Sequence, residues 1–136
     1  MNNTVLIVTG TFYKDIAKNM VFKAIETLAD NDFHHECINV PGAFEVPAVI
    51  SSLSKEDKYI GFVALGCVIR GETSHYDYIC SETARALMDL SLQGVAIGYG
   101  ILTCENLEQA IERSDPCKKN KGAEAAKACL DLLLLK

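Results

Sequence analysis

The stretch Leu65-Gly-Cys-Val-Ile-Arg70-Gly-Glu-Thr-Ser-His75-Tyr-Asp-Tyr78 gathers the residues of this chain best equipped for chemistry. An apolar run enters it, a glycine turn follows, and an arginine, two hydroxyls and a histidine precede a segment that reads as helix. A strand that passes through a glycine-rich turn into a helix start exposes several backbone N–H groups together, which makes a seat for an anion. His75 stands within reach of whatever that anion is attached to, and an imidazole can both accept and return a proton near neutral pH. Thr73 and Ser74 also fit plain helix caps, and Arg70 fits a turn-stabilising role. Cys67 offers a rival chemistry, a thiol nucleophile with His75 as its base, although a buried thiol suits its strand position equally well.

Other segments must hold this stretch in place. Val5-Leu-Ile-Val8 is a continuous apolar run stopped by Thr9-Gly10, as expected of a parallel strand buried on both faces. From Asp15 to Ala29, Ile16, Met20, Val21, Ala24, Ile25 and Leu28 fall on one helical face, with Lys18, Lys23 and Glu26 off it. Residues 33–40 read as a strand in which His34 and His35 are polar strand positions. Pro41 to Pro47 interrupts the pattern, and a helix follows over 48–53, with Pro47 tolerated in its first turn. Residues 59–65 form a second buried strand, and 76–92 a helix for which Ser74 and Asp77 resemble a capping box. Residues 95–102 form a fourth strand, whose glycines allow close approach to its backbone. A short helix over 106–112, a loop over 114–120 and a helix over 121–134 complete the chain.

Alternating buried strands and helices predict βαβ units with right-handed crossovers. The expected fold is a single domain over residues 1–136, a three-layer α/β/α sandwich with a four-stranded parallel sheet, flavodoxin-like, binding its ligand beyond the strand C-termini. That rim collects Gly10-Thr-Phe12, Pro41-Gly-Ala-Phe-Glu45, Gly66 to His75, and Tyr99-Gly100. Phe12 and Phe44 together suggest a stacking platform for a planar ring, and Phe12 alone fits a loop hydrophobe folded back on the core equally well. Glu45 reads either as a carboxylate favoured at a helix N-terminus or as an acceptor for substrate hydroxyls.

Composition narrows the function classes. A net charge of −5 argues against a nucleic-acid partner. The first residues lack a basic leader, and their apolar run is too short for a signal peptide or a membrane span, so a cytoplasmic protein without membrane association is expected. The six cysteines include no CxxC pair, which predicts reduced, mostly buried thiols and no metal site.

Four ordered segments resemble one family. Pro41-Gly-Ala-Phe-Glu-Val-Pro47, Gly66-Cys-Val-Ile-Arg-Gly-Glu-Thr-Ser-His-Tyr-Asp-Tyr78, Gly100-Ile-Leu-Thr-Cys-Glu-Asn-Leu-Glu-Gln-Ala110 and Asn120-Lys-Gly-Ala-Glu-Ala125 are similar to the signatures of lumazine synthase, an enzyme family of riboflavin biosynthesis. The resemblance implies condensation of 5-amino-6-(D-ribitylamino)uracil with 3,4-dihydroxy-2-butanone 4-phosphate to 6,7-dimethyl-8-ribityllumazine, phosphate and water, with no cofactor. By the same resemblance Phe12 stacks on the pyrimidine, while Ala43, Phe44 and Glu45 hold the ribityl chain and ring. Val68 and Ile69 contact the pyrimidine edge, Gly71, Glu72 and Thr73 form the phosphate-side turn, and His75 transfers protons. Arg113 binds the phosphate, and Tyr99 comes from a neighbouring subunit of a homopentamer. Lys121 is the lysine of the Asn-Lys-Gly motif. Where the family often has Arg-Phe-Asn, this chain has Thr11-Phe-Tyr13. Readings from another class are a noncatalytic flavin- or lumazine-binding oligomer and a receiver-like module. The latter would need an acidic cluster where Thr9-Gly-Thr11 stands.

Overall fold

Strand β1 (Thr4–Gly10) is buried without a break from Val5 to Gly10, and its neighbours are recruited by the same apolar logic. The computed structural model describes residues 2–136. After β1 come α1 (Lys14–Asp30), β2 (His34–Val40), a 3₁₀ turn (Ala43–Glu45), α2 (Val46–Leu53) and β3 (Gly61–Ile69). Then follow α3 (His75–Leu92), β4 (Ile97–Cys104), α4 (Leu107–Ser114) and α5 (Lys121–Leu134). The four strands form one parallel sheet in the order β2-β1-β3-β4, the flavodoxin-like α/β arrangement expected from the sequence.

Successive side chains of β1 and β3 feed opposite cores, as the two-residue period of a strand requires. Val5, Ile7, Val63 and Leu65 pack with Met20 and Leu28 of α1 and Ala126 and Leu130 of α5. Leu6, Val8, Phe62 and Ala64 pack with Val46 and Ile50 of α2 and Leu87 of α3. No helix among the described residues is long and apolar enough to cross a membrane.

Several boundaries depart from the sequence pattern. Strand β3 does not end at Leu65 but runs through Gly66 to Ile69, paired with Ile101 to Cys104, so Gly66 lies within the strand and the turn begins after Ile69. A Cβ on Gly66 would crowd the Ala43 Cβ at 3.2 Å and Ile101 Cδ1 at 3.3 Å, so glycine eases the packing there. Tyr99 and Gly100 are not at the rim. They sit mid-strand in β4, opposite Ala64 and Leu65. The close approach that the β4 glycines permit is made by α5, whose Ala125 packs against Gly98 and Gly100. Cover on both faces also stops short of β2, where His34 to Cys37 are exposed because the helices pack over the inner strands. Of the cysteines only Cys67, Cys104 and Cys129 are buried, while Cys37 and Cys117 are exposed.

Candidate functional site

A cavity of ≈ 630 Å³ opens over the C-terminal ends of β1 and β3, the point where the chain's path across the sheet reverses direction. Phe12, Ala43, Phe44, Glu45, Val68, Ile69 and His75 all line it. Phe12 is 73% and Phe44 52% exposed, which excludes a core role for either ring. Two large apolar side chains left facing water beside a cavity make a stacking surface for a planar ligand.

Local packing explains how this wall is set. A Cβ on Gly10 would lie 2.5 Å from the Gly42 carbonyl carbon and 2.6 Å from the Ala43 nitrogen, so only glycine lets the 3₁₀ turn seat against the end of β1. The turn is closed by the Gly42 N–H donating to Glu45 Oε1 at 3.0 Å, while the Glu45 N–H donates to the Gly42 carbonyl at 3.2 Å. Glu45 is thus fixed by one carboxylate oxygen and keeps the other for a ligand. The Thr11 N–H donates to the Val40 carbonyl at 2.9 Å, tying the Phe12 loop to β2.

His75 is the first residue of α3 and is exposed. Its N–H donates to Thr73 Oγ1 at 3.3 Å. The expected capping box is absent, because Ser74 makes no side-chain cap and Asp77 contributes only its N–H, to the Ser74 carbonyl at 3.0 Å. The Asp77 carboxylate is instead drawn to Arg70, a cation at the end of β3 on the far side of the β3–α3 connection. Gly71, Glu72 and Thr73 lie in the exposed β3–α3 turn beside the cavity and do not line it. Among the described residues no protein acceptor takes the N–H groups of Gly71 to Ser74, which leaves that turn open to an anion.

A second cavity of ≈ 220 Å³ runs along the outer edge of β4 and is lined by Tyr99, Arg113 and Lys121 with residues 100–103. The two cavities share no residue. Arg113 Nη1 donates to the Gln109 carbonyl at 3.3 Å, and among the described residues it has no carboxylate partner. Lys121 pairs with Glu124 at 3.1 Å. The motif around it divides its work. The Asn120 side chain, buried, accepts from the Gly122 and Ala123 N–H groups at 2.7 and 3.1 Å and donates to the Ser114 carbonyl at 2.7 Å. Gly122 packs on the Met20 carbonyl, and Lys121 is left to face the cavity. Burial pushes the Tyr99 phenol above its ordinary range.

Burial, followed by the neighbouring Cys104, pushes the Cys67 thiol up to about 12. Cys67 borders the cavity with His75 but packs in the core cluster, and burial disfavours its thiolate, which weighs against the rival cysteine chemistry. Tyr13, Gly42, Tyr78 and Ile79 also line the main cavity and were given no site role from the sequence. Tyr78 and Ile79 follow His75 by three and four residues, the spacing that puts helical side chains on one face, and that signal was available.

A family model described as 6,7-dimethyl-8-ribityllumazine synthase matches residues 2–136. The chain belongs to the 6,7-dimethyl-8-ribityllumazine synthase family. Curated relatives of that name include one from Sphingopyxis alaskensis, 48% identical over 97% of this chain and 94% of the relative. Others come from Zymomonas mobilis, 47% identical over 96% and 94% of the two chains, and Bartonella bacilliformis, 45% identical over 100% and 91%. The chain is therefore an enzyme of the lumazine synthase type, with its family motifs divided between two separate cavities.

Proposed function

We propose that this protein condenses 5-amino-6-(D-ribitylamino)uracil with 3,4-dihydroxy-2-butanone 4-phosphate in riboflavin biosynthesis, giving 6,7-dimethyl-8-ribityllumazine, phosphate and water. The observation that carries the reading is the division of the family's motif residues. Those assigned to the pyrimidine and to proton transfer line one cavity, while Tyr99, Arg113 and Lys121 line another that shares nothing with it. Neither cavity is a complete two-substrate site. Each becomes one when the β4 edge of a neighbouring subunit covers the Phe12 and His75 wall, as a cyclic heterologous contact in a homopentamer would arrange.

In that assembled site Phe12 stacks on the pyrimidine, Val68 and Ile69 bound its edge, and Ala43, Phe44 and Glu45 hold the ribityl chain and ring, the free oxygen of Glu45 accepting from ribityl hydroxyls. The neighbour's copy of Arg113 and the open N–H groups of Gly71, Glu72 and Thr73 hold the phosphate, with the Lys121 ammonium beside them. The pyrimidine amine adds to the ketone, water leaves to form the imine, phosphate is eliminated, and ring closure releases a second water. Each step moves a proton, which suits His75 acting as acid and base. Holding two substrates in register supplies much of the rest. No step calls for a cofactor.

The test is direct. Purified protein mixed with both substrates should generate lumazine absorbance and fluorescence, and native mass measurement should give a pentamer or a multiple of one. His75→Ala should react more slowly by roughly 10²-fold while retaining turnover. An active monomer, or no product from the two substrates, would refute the proposal.

A further inference from the structure

We propose that Arg70 is a positioning residue, which clamps the turn carrying His75 to the end of β4 and so sets the aim of the imidazole. The inference rests on the functional reading above. It begins from how little else restrains the turn. Residues 71–74 are exposed, a Cβ on Gly71 would meet nothing within 4 Å, and Ser74 gives α3 no side-chain cap.

Arg70 makes up for this from one side. Its own N–H donates to the Cys104 carbonyl at 2.9 Å, fixing its backbone to β4. Its guanidinium then makes three contacts at once. Nε donates to Glu105 Oε1 at 2.8 Å, Nη1 lies 3.2 Å from Asp77 Oδ1, and the guanidinium carbon stands 4.3 Å from the centre of the Tyr76 ring. Tyr76 and Asp77 are the two residues directly after His75, so the first turn of α3 is held by a ring face and a carboxylate while its anchor, Glu105, belongs to β4's end. Tyr76 is itself buried, which gives the clamp a firm seat.

Only a planar fork can serve two carboxylates and a ring face together; a lysine ammonium offers a point charge and no face to stack. The same engagement decides against Arg70 as the phosphate ligand. Two carboxylates already neutralise it, whereas Arg113 has none. Exposed ion pairs contribute little to folding stability, so the clamp's effect lies in restraint rather than in holding the fold together.

The test compares Arg70→Met, Arg70→Lys and Glu105→Gln with the unaltered enzyme, by steady-state kinetics in each substrate and by thermal melting. Arg70→Met should lower kcat by on the order of 10-fold or more. It should raise KM for the phosphate substrate, leave KM for the pyrimidine unchanged, and melt within a few degrees of the parent. Arg70→Lys should restore only part of the loss. Glu105→Gln should lower kcat less than Arg70→Met and add nothing in its background, as expected of residues acting through one contact. Should Arg70→Met fail to fold, Glu105→Gln keeps the Asp77 pair and the ring contact, and its kcat carries the test. Unaltered kinetics in the folded variants, or losses shared equally by both KM values and by the melting temperature, would overturn the clamp alone. Absence of condensation by the parent enzyme would overturn the functional reading and the clamp with it.

Discussion

Replacing Gly10 by alanine puts a methyl carbon 2.5 Å from the carbonyl carbon of Gly42 and 2.6 Å from the nitrogen of Ala43. Both are backbone atoms, so no rotamer change relieves the overlap. Carbon atoms in contact settle at about 3.5 Å, so the 3₁₀ turn must withdraw from β1 by about 1 Å. Overpacking of this kind costs about 1–3 kcal/mol, and the thermal midpoint should fall measurably. Catalysis should suffer more. The withdrawn turn carries Ala43, Phe44 and Glu45, and a misplacement near 1 Å at a reacting centre can cost about 10²-fold in rate. The assay is steady-state condensation with each substrate varied in turn, beside thermal melting. KM for the pyrimidine should rise, since Phe44 and Glu45 face that substrate in the proposed site, while the phosphate substrate should be less affected. Gly71→Ala meets no atom within 4 Å and should leave the melting temperature in place. A Gly10→Ala enzyme with unaltered pyrimidine KM and melting temperature would show that the 3₁₀ turn does not set the ring and ribityl contacts.

Arg113→Ala should raise KM for the phosphate substrate by roughly 10-fold or more with little change in melting, because the side chain is exposed and its loss orphans no buried partner. An unchanged half-saturation would remove Arg113 from the phosphate site. Alkylating reagents should modify exposed Cys37 and Cys117 and spare Cys67, with activity retained; loss of activity tracking Cys67 modification would restore the thiol chemistry. Burial raises Cys67 from the ordinary 9.0 to about 12 and Cys129 to about 11. The folded chain therefore keeps protons that the unfolded chain gives up, so this stabilisation is complete below about pH 9 and declines as pH rises toward 11 and 12. Urea midpoints that held steady across that window would contradict the assignment.

The order of strands and helices was readable because each strand of the inner sheet is a short apolar run and each helix has one apolar face. Helix α5 begins at Lys121 as the pattern indicated, and the Asn120 side chain caps it. The strand ends were less legible. Gly66 looks like a break in a one-dimensional reading, yet it lies within β3, where a Cβ would crowd the Ala43 Cβ at 3.2 Å, and that neighbour lies far away in sequence. Asp77 was read as a helix cap because its spacing from Ser74 fits one; the nearby guanidinium of Arg70 competes for it and prevails. Phe12 could not be divided between core and ligand wall without the fold, because residue type does not distinguish an exposed ring from a folded-back one. The distribution of the motif residues over two cavities is likewise a three-dimensional property with no trace in their linear order.

That distribution has a consequence for inheritance and for mixtures. In the proposed ring each chain would give one wall to the site on its left and the other wall to the site on its right, so a lesion in His75 and a lesion in Arg113 would damage different sites of the same chain. Chains bearing one lesion each, co-assembled at random in equal amounts, would rebuild about a quarter of the sites with both walls intact. Two impaired proteins would then yield a mixture more active than either. The unit on which selection acts at such a shared site would be a junction between chains, with a damaged copy masked or exposed according to its neighbour.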